Sequence, residues 1–169
     1  RWVLRLRPHA SLALQVAALF HDVERLKSEA HERREHRAPD YDRFKVAHAR
    51  AGALITRRAL TSAGVDADTI AQVAALVAEH ERPGDGDADP EERALLSDAD
   101  ALSFFSLNAS GFVDYYGPAH TRTKVAYTLR RLRPDQHRRL AGLHLRQDVL
   151  DLVAEQLPGV RERTTRRSA

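Results

Sequence analysis

The stretch "LFHDVERL" (Leu19–Leu26) sets a histidine beside an aspartate at the end of an apolar helical run that begins near Leu12. The helical spacing puts His21 on one face with Leu14 and Ala17, where a core residue is expected. An ionisable pair in that place needs partners, because burying an unpaired carboxylate costs several kcal/mol.

Working outward, apolar residues recur at helical spacing almost everywhere, and strand-like alternation is absent. The sequence predicts an all-α domain, a bundle of about six to seven helices over residues 1–157, with a basic, disordered tail at 158–169. "RWVLRL" reads as the last turns of a helix stopped by Pro8. The next helix is expected from about Ala10 to Lys27, with Leu12, Val16, Leu19, Val23 and Leu26 as its buried stripe. Asp40 caps a helix that runs to about Thr61 and is stopped by Gly64. "DADTIAQVAALVAEHE" makes another, begun by Asp66 or Asp68 and ended by the turn-rich "RPGDGD". Pro90 suits the first turn of a helix carrying "EERALLSDADALSFFSLN". Two more are expected, His120 to Leu132 and Asp135 to Leu157, separated by Pro134.

On these helices His48 falls on the stripe of Phe44, Ala51 and Ile55, and His80 on that of Ile70, Val73 and Val77. Asp100 lies between Leu96 and Phe104 at four-residue spacing, and Asp98 among Leu95, Leu102 and Phe105. A single histidine on an apolar face is usually a hydrogen-bonded core residue. Several of them, together with aspartates on separate helices, point to a shared divalent cation.

Composition narrows the chemistry. The 169 residues hold no cysteine, which excludes disulfides and thiolate metal sites and leaves His, Asp and Glu as donors. No apolar run approaches the roughly 20 residues that span a bilayer, and no signal-peptide pattern opens the chain, so a cytoplasmic protein is expected. Twenty-seven basic against 24 acidic residues give a net charge of +3, too small an excess to argue for a nucleic-acid partner. Oligomeric state has no sequence signal. The chain has no methionine and opens on Arg1, so the natural start is expected to lie upstream.

The order of these motifs, a helix ending in "HD", "VAHARAGA", "EHE", then "LLSDADAL", resembles the HD-domain metal-dependent phosphohydrolase superfamily over about Arg1 to Leu107. "AALFHDVERL", "HERPGD" and "DADALSFFSLN" are similar to phrases of one bacterial branch of it. The resemblance implies metal ligation by His21, Asp22 and Asp100, with Asp98 as alternative or as an orienting partner. It places His48 and His80 beside the substrate phosphate, or on a second metal where one binds. The superfamily's first histidine lies well upstream of HD, whereas His9 is next to Pro8 and reads as a loop residue; that ligand is expected before Arg1. Arg25 stands where many members carry a lysine and would brace a phosphate, with Lys45, one turn before His48, as a further phosphate contact. Asp22 or Glu24 would take the proton from the attacking water, and Glu81 either relays a proton or solvates a helix end.

Imidazole and carboxylate donors suit Mn, Fe, Zn, Co or Ni. The expected function is therefore hydrolysis of a phosphoester or phosphoanhydride in a small metabolite, plausibly a nucleotide. The alternative is a degenerate HD domain that binds a nucleotide or a protein without turnover. A charged loop with His31, Arg33, Arg34, His36 and Arg37 reads as solvated surface or as a lid.

Overall fold

The computed structural model describes residues 1–26, 39–81 and 86–157. Its helix ends follow local chemistry. Pro8 disfavours helical backbone at the residue before it, and Arg7 is extended (φ −139°, ψ 98°), closing α1 (Trp2–Leu6). Ser11 accepts from the Leu14 N–H at 3.0 Å and starts α2 (Leu12–Phe20). Asp40 accepts from the Arg43 N–H at 2.9 Å at the head of α3 (Tyr41–Ser62). That helix ends in a Schellman closure, the Val65 N–H on the Leu60 carbonyl and the Gly64 N–H on that of Thr61. The closure needs Gly64 at φ 74°, a left-handed conformation that glycine adopts without a Cβ penalty. Asp66 caps α4 (Ala67–Glu79), and Asp89 accepts from the N–H groups of Glu91 and Glu92 where α5 (Pro90–Ser103) begins. A π-turn (Phe104–Asn108), α6 (Ala109–Arg131), a 3-10 segment (Pro134–Gly142) and α7 (Gln147–Gln156) complete the order. The fold is all-α; among the described residues there are seven α-helices and no strand, and no helix is long and apolar enough to cross a membrane.

The chain divides into two compact units, the first comprising Arg1 and Val3–Ser97, the second Trp2 and the described residues from Asp98 on. In the first, α4 packs against α2 and α3. Its core combines Ala13, Leu14 and Ala17 of α2 with Ile70, Val73, Leu76 and Val77 of α4. The buried face of α3 is unusual for its polarity: Lys45, His48, Ala49, Gly52, Thr56 and Leu60. A Cβ at Gly52 would lie 3.5 Å from the His21 carbonyl oxygen and 3.5 Å from Val77, so α3 passes close to the turn that carries His21.

Two expectations need correction here. The α2 stripe is not Leu12, Leu19 and Leu26, which are 67%, 81% and 79% exposed; the buried residues of the helix are Ala13, Leu14 and Ala17. The helix also stops at Phe20 rather than Lys27. Beyond it the Val23 N–H bonds to Phe20 and the Arg25 N–H to Asp22, so "HDVE" is a run of turns.

In the second unit α6 packs against α7 and against the π-turn. It begins at Ala109 and is broken inside by Gly117 (φ 78°, ψ 167°) before Pro118; the part after the break, ending at Arg131, is the helix expected from about His120 to Leu132, and the part from Ala109 to Tyr116 was not expected as a separate helix. The single helix expected from Asp135 to Leu157 is two pieces, because the chain is extended at Leu143 and restarts as a helix only at Gln147. The tail at 158–169 lies outside the described residues.

Candidate metal centre

His21 and His80 occupy equivalent places, each at the C-terminal cap of a helix. Each directs Nδ1 at the carbonyl three residues back, His21 at Ala18 (3.0 Å) and His80 at Val77 (2.8 Å). A carbonyl only accepts, so Nδ1 carries the proton in both rings, and the neutral ring presents its lone pair at Nε2. The helix terminus thus selects the tautomer.

His48 reaches the same place from α3. Its Nδ1 lies 2.7 Å from Glu24 Oε2 and its Nε2 lies 3.0 Å from Asp22 Oδ1. Carboxylates flank both nitrogens, an arrangement satisfied by an imidazolium or by a cation in place of the Nε2 proton. Phe44, one turn earlier, stacks on this ring at 6.4 Å with planes 9° apart. The rings of His21 and His48 meet that of His80 edge-on, with centroids at 5.3 and 6.2 Å.

Asp22, His48 and His80 each offer one donor atom, and these atoms lie within 4.8 Å of one another. Two donors at about 2.1 Å from one ion and at right angles are about 3.0 Å apart, which is the separation found between His48 Nε2 and Asp22 Oδ1. Histidine ligands also typically donate their second N–H to a carbonyl or carboxylate, as the three rings here can. The donor set therefore fits a divalent transition ion.

Charges around the cluster are paired. Burial pushes the Asp22 carboxyl up, but the His48 hydrogen bond and the charges of Arg25, His21 and Lys45 outweigh it and hold the group well below its ordinary value of 3.8. Arg25 Nε lies 3.0 Å from Asp22 Oδ1. Lys45 and Glu81 form a fully buried ion pair, and Glu81 Oε1 is 3.5 Å from His80 Nε2. Glu79 is structural: it accepts from the Asp87 and Ala88 N–H groups and from Arg93, tying the end of α4 to the start of α5.

Residues 1–153 match the family described as Domain of unknown function (DUF4202). The chain belongs to that family. No curated protein and no solved structure matches it. The DUF4202 match includes all the residues of the cluster.

The first unit of this DUF4202 chain brings together His21, Asp22, Glu24, Arg25, Lys45, His48, His80 and Glu81. His9 sits exposed in the turn between α1 and α2. Asp98 and Asp100 belong to the second unit. Asp98, fully buried, accepts from the Arg133 backbone N–H (2.9 Å) and Nε (2.6 Å), and Asp100 accepts from Arg131 at 3.1 Å. Sequence reasoning missed the pairing of Lys45 with Glu81, of Glu24 with His48, and of Asp98 with Arg133; only the buried polar face of α3, readable from its helical spacing, hinted at the first two. The loop histidines and arginines from His31 to Arg37, and Arg82 to Asp85 of "HERPGD", lie outside the described residues.

Proposed function

We propose that this chain is a metal-dependent phosphohydrolase of the HD type, acting on a small phosphorylated metabolite. The observation that carries the reading is the convergence of Asp22, His48 and His80 from three separate segments, each imidazole fixed through Nδ1. Asp22, His48 and His80 would hold the ion, and His21 Nε2, 3.8 Å from Asp22 Oδ2, lies beside them. A divalent transition ion bound there supplies Lewis acidity toward a phosphoryl oxygen and toward water at neutral pH.

The chain's own residues do the rest. The depressed Asp22 carboxyl stays anionic and so remains available as the charged donor to the ion. Glu24 keeps His48 in register by holding Nδ1. Arg25, beside Asp22, offers a planar guanidinium to two phosphoryl oxygens and stabilises the charge that builds on them.

The test is a panel of nucleoside and sugar mono-, di- and triphosphates, assayed for released phosphate with metal-loaded and chelated protein while bound metal is measured. Hydrolysis of at least one member, lost on chelation and restored by Mn or another transition ion, is expected. Tight binding of a member without release would establish the alternative, a binding module without turnover.

A further inference from the structure

Glu81 is adjacent in sequence to His80, and its Oε1 lies 3.5 Å from His80 Nε2, close to the spacing of two donors that share an ion. Yet it is not among the three groups whose donor atoms mutually converge. Its carboxylate is held by the Lys45 ammonium, with side-chain exposures of 3% for Lys45 and 2% for Glu81. Lys45 lies one turn before His48 on α3, so the pair ties together the two helices that supply the imidazoles. Lysine at a core-facing position is costly to bury, and a buried carboxylate without a cation is costlier still.

We propose that Lys45 sets the composition of the metal site: by serving as the cation for Glu81 it keeps that carboxylate out of the donor set, leaving one carboxylate and two imidazoles around the ion. The inference rests on the metal reading above, but not on hydrolysis. A second carboxylate ligand would neutralise the divalent charge and fill a position that water and substrate need. Lys45 thereby preserves both the net positive charge of the loaded site and its open coordination positions. In this role it is a positioning residue and does not contact the phosphate.

Co(II) is the probe, because its visible d–d spectrum reports donor number and geometry without any substrate. In the wild-type background, Glu81→Gln should leave the Co(II) spectrum essentially unchanged. Lys45→Met should release Glu81 to the ion, altering the spectrum and shifting affinity by about 10- to 100-fold. The double variant Lys45→Met/Glu81→Gln, which removes both charges together, should return to the wild-type spectrum. A Lys45→Met protein that binds Co(II) with the wild-type spectrum overturns the proposal, as does a changed spectrum in Glu81→Gln, which would make Glu81 a ligand already. If Lys45→Met fails to fold, Lys45→Gln, which removes the charge but keeps a polar side chain, is read by the same criterion: a changed spectrum supports the proposal and a wild-type one overturns it. Failure of the wild-type chain to bind Co(II) at all overturns the metal reading and this proposal with it, whereas Co(II) binding without phosphate release overturns only the hydrolase.

Discussion

Asp98 in the second unit and Asp22 in the first are carboxylates set against apolar helices, and they are met by different chemistry. Asp98 is fully buried and receives two donors from one residue, the Arg133 N–H and its guanidinium. Asp100 beside it takes Arg131. Asp22 is half-buried, with a 43% exposed side chain, and faces the imidazoles of His48 and His21 as well as Arg25. A guanidinium is permanently charged and only donates, so it neither gives up its proton to a neighbour nor binds a metal ion itself. An imidazole can exchange its proton for a metal ion, so a carboxylate surrounded by imidazoles remains open to one. On the proposed reading the first kind of pairing serves as scaffold and the second as a site.

The largest expected effect is Asp22→Asn. On the proposed reading it removes an anionic donor at the centre of the cluster, and turnover should fall on the order of 10³-fold or more, with bound metal falling in parallel. Retention of both would break the comparison by placing Asp22 with the scaffold. Arg25→Ala comes next. It should lower the rate by about 10²- to 10³-fold while leaving metal content near wild type, because the guanidinium acts on the phosphoryl group rather than on the ion. Loss of metal in that variant would mean that Arg25 instead holds Asp22 in place.

In the second unit Asp98→Ala should destabilise by about 1–3 kcal/mol in urea unfolding, since it strands the Arg133 N–H from which Asp98 accepts. The lower end reflects the 40% exposure of Arg133, whose guanidinium can turn to water. Co(II) affinity of the folded fraction should not change. A variant that is stable yet unable to bind Co(II) would instead return Asp98 to the ligand set that the HD resemblance allows.

How far the sequence could be read divides along the same physical line. Caps are local, so Asp40, Asp66, Gly64 and Pro90 mark helix ends that the structure places within a residue or two of expectation. The face of α2 was not legible from apolarity alone. Ala13, Leu14 and Ala17 are buried while Leu12 and Leu19 are exposed, and in a helix apolar on more than one side an apolar count does not say which side meets the core. The π-turn at Phe104–Asn108 has no sequence marker comparable to a cap, whereas the break at Gly117–Pro118 is marked by "GP" itself, and the helix expected from about His120 resumes after it. In the cluster, the burial of His48 and His80 followed from spacing. Their partners did not, because Glu24, Lys45 and Glu81 are brought to them by packing between α2, α3 and α4 rather than by any local rule.

The smallest effect expected is on pH dependence, and it separates the two kinds of carboxylate without substrate or metal. The Asp22 carboxyl is held well below 3.8 in the folded chain, mainly by His48 and Arg25 acting against burial, so the folded state takes up this proton less readily than the unfolded one. Its contribution to stability is therefore complete above about pH 4 and is lost as pH falls through the folded value. Urea midpoints of metal-free wild type and Asp22→Asn, followed from pH 6 to pH 3, should differ by a constant amount at the upper end and converge below about pH 4. Because the side chain is 43% exposed, the difference should also shrink as salt is added. Curves that stay parallel down to pH 3 would mean that Asp22 gains nothing from its imidazole neighbours in the folded chain, and the contrast with Asp98 would then rest on burial alone.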